Sequence, residues 1–321
     1  MMSLSSLINK ETFASSTQKV QYVLALFRQE VVGIAQDFWK DGDWGRASSA
    51  KNGFSTFSRS EGRDAAAVEN PLWHALPGEI SERMWGEGSV TPADEYVTDL
   101  LIKPLNLNKN MKMLDLAAGL GARMYETTEE FGIRIDGREP DPEIAARGMA
   151  LAIESGLQTR LSIKPYDPMY LVEKEKYDCV VSRETIYRVA DKEKFIASIV
   201  ACCNPKAQIS FTDYIVNPES VAQPAILAWQ AFEKDAAPPS LVEMAELWAK
   251  AGISLRVHDD ETDHYKSEVK KGMLRFTQYL LSGAKPDNAT KRAINKRITT
   301  WAHRVAAMEQ GMKFYRFYGS R

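Results

Sequence analysis

From about Pro71 to Pro218, short apolar runs alternate with stretches of helical periodicity, and this alternation constrains the chain more than any other feature. A repeated strand–helix–strand order favours parallel pairing, with helices covering both faces of one sheet. Strands are expected at Lys112–Leu116, Arg134–Gly137, Leu161–Lys164, Tyr177–Ser182 and Gln208–Asp213, with helices at Pro142–Ser155 and Lys192–Cys203. Beyond Pro218 the pattern turns mostly helical, including Pro224–Lys234 and Ser240–Ala251, and two late strands are expected at Ser254–Asp259 and Met312–Tyr318. Ahead of the alternating region, Thr17–Trp39 places apolar residues at helical spacing. The polar segment Lys40–Arg63, with its glycines and serines, reads as a linker. The expected division is therefore a helical extension and linker at 1–70 and one α/β domain at 71–321, with helical insertions at about 219–251 and 265–310.

Composition narrows the partners. A formal net charge of −2, without a basic stripe or a nucleic-acid module, argues against a nucleic-acid partner. Cys202 and Cys203 are adjacent, Cys179 stands apart, and no C-x-x-C spacing occurs, which suits a reducing compartment and gives no metal site. No apolar run approaches the ~18 residues of a membrane span. The first residues lack a basic segment followed by a long apolar stretch, so a cytoplasmic address is expected. The helix at Thr17–Trp39 carries only Lys19 and Arg28 as basic residues, which disfavours a membrane-surface role. Packing against the body or a second subunit is expected instead, with the helical additions as a homodimer surface.

The chemistry concentrates at successive strand ends. In MLDLAAGLGARMY a strand ending at Asp115 runs into Ala117, Gly119 and Gly121, spelling D-x-A-x-G-x-G. Small residues there let a ligand approach the backbone closely, and glycine permits positive φ. The same pattern also occurs in strand-to-helix turns that hold nothing. Further along, IRIDGREPD ends on Glu139, where doubly wound nucleotide sites place a carboxylate for the ribose hydroxyls. Asp167, followed by Pro168 in YDPM, lies at the carboxyl edge of the next strand, placed to accept from an adenine amino group. Ser182 and Arg183 end the fourth strand at the same edge. A nicotinamide-binding dehydrogenase is a weaker alternative, because the G-x-G-x-x-G register is missing.

Taken in order, MLDLAAGLGA, DGREPD, YDPM, KYDCVVSRE and QISFTDY resemble the motif series of class I S-adenosylmethionine-dependent methyltransferases. The resemblance covers roughly Met84 to Arg321; WAKAGISLRV is similar to the usual entrance to strand six and GMKFYRFYGSR to the closing strand. It implies a doubly wound, Rossmann-like seven-stranded sheet with an N-terminal helical extension and C-terminal helical additions. The implied cofactor is S-adenosylmethionine, held by Asp115, Ala117, Gly119, Gly121, Glu139, Asp167, Pro168, Ser182 and Arg183.

Within that superfamily the chain resembles small-molecule N-methyltransferases of the phosphoethanolamine type. WGEGSVTPADEYVTDLL is similar to their leading segment, which lies over the cofactor and puts Val90 and Thr91 at contact positions. SRETIYRV and TDY are similar to their acceptor-side segments. Two departures matter. Arg188 stands where that family has a histidine, and Trp73 stands near the position of its partner tyrosine. Methyl transfer is thus expected onto a small or medium-sized acceptor, at nitrogen or oxygen, with Glu184, Arg188 and Tyr214 as the catalytic group and Tyr187 and His74 nearby. A guanidinium fork at Arg183 or Arg188 suits an acidic or amphiphilic acceptor. A methyltransferase fold that only binds or regulates is the alternative. Trp229, Phe232, Trp248, Phe276, Tyr279 and Trp301 are aromatics that line the acceptor pocket or simply form core.

Overall fold

The computed structural model describes residues 76–92, 95–282 and 288–321. The expected helix at 17–39, the linker, Trp73 and His74 lie outside the described residues.

The sheet follows the alternation in the sequence. Its strands are β1 (Lys112–Asp115), β2 (Arg134–Glu139), β3 (Leu161–Pro165), β4 (Tyr177–Arg183), β5 (Cys203–Val216), β6 (Ser254–Asp260) and β7 (Met312–Ser320). They form one seven-stranded sheet in the order β3-β2-β1-β4-β5-β7-β6. The first five run parallel, and β7 inserts antiparallel between β5 and β6. The chain reverses its direction of winding between β1 and β4, where open α/β sheets bind ligands outside the strands' carboxyl ends. All seven expected strands are present. β5 is much longer than the expected Gln208–Asp213, because its ladder with β7 continues to the Val216–Met312 pair.

Local signals place the helices. α1 (Glu79–Trp85) and α2 (Glu95–Ile102) precede the sheet; α3 (Ala122–Phe131) and α4 (Pro142–Glu154) follow β1 and β2. Asp141 caps α4 by accepting from Glu143 N and Ile144 N, with Pro142 in the first turn, where a missing N–H costs nothing. α5 (Lys192–Ala201) stops two residues short of the expected Cys203, which already belongs to β5. α6 (Pro224–Phe232) and α7 (Leu241–Lys250) follow β5, and α7 opens with a reciprocal capping box between Ser240 and Glu243. α8 (Thr262–Ser282) and α9 (Asn288–Glu309) lie between β6 and β7.

Burial divides the core into layers. Met113, Ile135, Ile163 and Val181 of the sheet pack with Val97, Leu101 and Ala145 of α2 and α4. Val180, Ile209 and Phe211 pack with Phe195, Ile199 and Trp248 of α5 and α7. A third cluster joins Tyr214, Phe314 and Tyr187 to Trp229, Tyr265, Phe276 and Trp301 of α6, α8 and α9. The aromatics expected to share one role therefore separate. Trp248 stacks near Phe211, with ring centroids 5.1 Å apart, and belongs to the sheet core, away from the helical cap.

Candidate active site

The first half of the site is the turn between β1 and α3. Gly119 has φ +55° and Gly121 φ +94°, conformations that residues with a Cβ rarely adopt. A Cβ on Gly119 would lie 2.7 Å from Val90 Cγ2, and one on Gly121 2.9 Å from Ile163 Cδ1. The loop is fastened on both sides. Gly119 N donates to Glu139 Oε2 at 2.9 Å, and Asp141 N donates to Glu139 Oε1 at 3.0 Å. Burial pushes the Glu139 carboxyl above the ordinary range, while those two N–H donors and neighbouring Asp141 and Asp115 modify the shift. Asp115 Oδ1 accepts from Ala117 N, and its Oδ2 accepts from Arg183 Nη2 at 3.0 Å. Arg183 also donates to Ala117 O, so strand ends β1 and β4 are tied together.

The leading segment lies across this loop. Gly88 N donates to Glu82 Oε1, and Gly88 O accepts from Ala122 N, the first residue of α3. Those bonds set Val90 against Gly119, with Thr91 half-buried beside it. Asp167 is exposed and accepts from Met169 N, and Pro168 begins the short 3-10 turn Pro168–Tyr170. Ser182 donates its hydroxyl hydrogen to Thr185 Oγ1 at 2.9 Å, serving the turn after β4.

These residues fit S-adenosylmethionine. The small-residue cradle leaves backbone within reach of a ligand, and each Glu139 oxygen keeps a lone-pair direction beyond the N–H it accepts.

The second half of the site is a buried polar cluster over β4 and β5. Glu184 has φ +51°, a left-handed conformation that costs a residue with a Cβ about 1–2 kcal/mol. Tyr265 OH donates to Glu184 Oε1, and Tyr214 OH lies 3.2 Å from Oε2. Arg304 of α9 is 3% exposed and bonds Glu233 through Nε (2.7 Å) and Nη2 (2.8 Å), with Nη1 on Glu184 at 3.0 Å. Trp229 Nε1 also donates to Glu233, and Arg188 donates to Glu233 and to the Tyr187 hydroxyl. Burial alone would raise the Glu233 carboxyl. The Arg304 hydrogen bonds and charge, reinforced by Arg188 and Trp229, outweigh it and hold the group at about 2. Asp213 accepts from the backbone N–H groups of Ile186, Tyr187 and Tyr214, fixing the segment that carries Tyr187 and Arg188. Burial nevertheless pushes its carboxyl up to about 7.

The structure thus gathers the expected residues into two groups. Val90, Thr91, Asp115, Ala117, Gly119, Gly121, Glu139 and Arg183 surround the loop, while Glu184, Tyr187, Arg188 and Tyr214 join the buried cluster. Tyr214, expected at a strand end, lies two residues inside β5 and is fully buried. Sequence reading missed Glu233, Tyr265 and Arg304. Glu233 had a local signal, four residues after Trp229 on one helical face; Arg304 lies 120 residues from Glu184 and had none.

A parallel sheet closed by an antiparallel β7, with a glycine loop at its switch point, defines a class I S-adenosylmethionine-dependent methyltransferase fold. Residues 92–256, just over half of the chain, match the family described as a methyltransferase domain, and the chain belongs to that family. Among similar proteins is phosphoethanolamine N-methyltransferase 1 of Zea mays, 22% identical over 274 residues, covering 83% of this chain and 52% of that protein. Norajmaline N-methyltransferase of Rauvolfia serpentina is 31% identical over 107 residues, covering 33% of this chain and 37% of that one. The solved structure of Haemonchus contortus phosphoethanolamine N-methyltransferase 2, with phosphomonomethylethanolamine and S-adenosylhomocysteine, superposes with a TM-score of 0.65. It is 16% identical and the match covers 75% of this chain and 56% of that one. The chain spans about half the length, or less, of the first curated relatives it matches. Among the described residues, no helix is long and apolar enough to cross a membrane.

Proposed function

We propose that this chain transfers the methyl group of S-adenosylmethionine to a small acceptor, at a nitrogen or oxygen, by in-line displacement. The observation that carries the proposal is the Gly119 turn, held by Glu139 beneath and facing Val90 above. The bound cofactor supplies an electrophilic methyl on a sulfonium. The chain supplies alignment, which in well-oriented systems reaches effective molarities of roughly 10⁵ M or more. Glu139 accepts from the ribose hydroxyls, Asp167 beside Pro168 receives the adenine amino group, and Asp115 with Arg183 and Ser182 shapes the methionine end. Val90 and Thr91 exclude water.

On the acceptor side Glu184, Arg188 and Tyr214 act. Arg188 supports an acidic or amphiphilic acceptor. Its side chain is 45% exposed and uses Nε on Tyr187 and Nη2 on Glu233. A guanidinium has five N–H donors, so Arg188 keeps others for a carboxylate or phosphate. Three buried, unbridged cysteines support a reducing, cytoplasmic setting. A homodimer through the helical additions is tested by light scattering, where the mass of a single chain would overturn it.

Incubating the protein with methyl-labelled cofactor and a small-molecule cell extract tests the activity. Label is expected in a small, acidic fraction and is lost in Arg188→Ala protein that still binds cofactor. Cofactor binding without label in any fraction would overturn the proposal.

A further inference from the structure

Arg304 looks, from its charge and place above β4, like a binding site for an acidic substrate. Its donors say otherwise. Nε and one Nη2 hydrogen bond the two Glu233 oxygens, the other Nη2 hydrogen faces Tyr187 OH at 2.7 Å, and Nη1 faces Glu184 at 3.0 Å and Tyr214 OH at 3.4 Å. All five N–H groups of the guanidinium are engaged inside the protein. Glu184 is the member left with capacity: Oε2 meets Tyr214 and Arg304, whereas Oε1 accepts only from Tyr265 among the described residues. Its left-handed backbone, at φ +51°, turns the side chain into the cluster directly after Arg183, which itself bonds Asp115 and Ala117 at the cofactor loop. Strained backbone of this kind persists where surrounding structure enforces it.

We propose that Arg304 and Tyr265 are positioning residues that hold the Glu184 carboxylate at the methyl-transfer end of the cofactor cleft, with Oε1 open to an N–H of the acceptor. Arg304 touches no substrate. It bridges and orients two carboxylates at once, and Tyr265 fixes the remaining Glu184 oxygen. The proposal rests on S-adenosylmethionine as the ligand of this cleft, and its test keeps the two apart.

Sinefungin carries an ammonium group where the cofactor carries its methyl-sulfonium, so its affinity relative to S-adenosylhomocysteine reads the carboxylate directly by calorimetry. Wild-type protein is expected to prefer sinefungin by about tenfold or more, the size of one charge-assisted hydrogen bond. The preference should vanish in Glu184→Gln. It should fall several-fold in Tyr265→Phe and Arg304→Lys, with S-adenosylhomocysteine affinity within about twofold of wild type. A purely structural role would lower thermal stability and weaken both ligands together, leaving their ratio unchanged. Tyr265→Phe removes one hydroxyl, and decides the matter even if the arginine variant fails to fold. An unchanged ratio in folded Tyr265→Phe, or a wild-type ratio near one, would overturn the positioning roles alone. Binding of neither ligand by wild-type protein would overturn the cofactor assignment and the proposal with it.

Discussion

Glu139→Ala separates a ligand-holding carboxylate from a loop fastener. The wild-type side chain accepts from Gly119 N and Asp141 N and is 9% exposed. Truncation leaves two backbone donors without that partner, and each fully buried orphan would cost about 1–3 kcal/mol. Removing the carboxylate also relieves the burial that raises its pKa, which offsets part of that cost. A net loss of about 1–3 kcal/mol is therefore expected, or roughly 2–10 °C in Tm for a domain of this size. The proposed ribose contact is a separate quantity. A charge-assisted hydrogen bond of about 1.5–3 kcal/mol corresponds to a tenfold to hundredfold loss of cofactor affinity. Scanning calorimetry measures the first effect and titration with S-adenosylhomocysteine the second. A folded variant whose Tm falls while its affinity stays within about twofold would show that Glu139 only fastens the loop, and the ribose role would be refuted.

Replacing Gly119 by Val should abolish cofactor binding in a protein that still folds, because the new Cβ lies 2.7 Å from Val90 Cγ2 at a positive φ; circular dichroism with titration checks both. Asp213 makes stability depend on pH in one direction. Burial raises its carboxyl from an unfolded value near 3.9 to about 7, so the native state binds the extra proton and stability falls as pH rises from ~4 to 7. Asp213→Asn should flatten that slope in thermal melts, and an unchanged slope would contradict the assignment. Glu233, held at about 2, acts oppositely: its contribution is present above an unfolded value of ~4.3 and is lost as pH falls toward 2. Glu233→Leu removes that acid-side loss and leaves Arg304 partly unpaired, at a cost of about 3–5 kcal/mol by denaturant unfolding.

The parallel half of the fold was legible because short, mostly apolar runs alternate with stretches of helical period, and the glycine turn because small residues sit beside Asp115 within one local stretch. The place of Glu139 beside that turn was legible too, at the end of the neighbouring strand. The acceptor half was not. Arg304 and Tyr265 meet Glu184, and Glu233 meets Arg304, only after α6, α8 and α9 come together, and their spacing in the chain carries no period. The backbone of Glu184 was hidden as well, since nothing in SRETIYR marks a left-handed glutamate. Trp248 stayed open between pocket and core for a different reason: a helix-spaced aromatic looks alike whether its helix covers the sheet or the pocket, and here it meets Phe211.

Titration calorimetry with S-adenosylmethionine and S-adenosylhomocysteine tests the central claim most directly, before any acceptor is identified. One site per chain is expected for both ligands in wild-type protein, and none in folded Gly119→Val. Failure of the folded wild-type protein to bind either ligand would contradict the assignment of the Gly119 turn as a cofactor site.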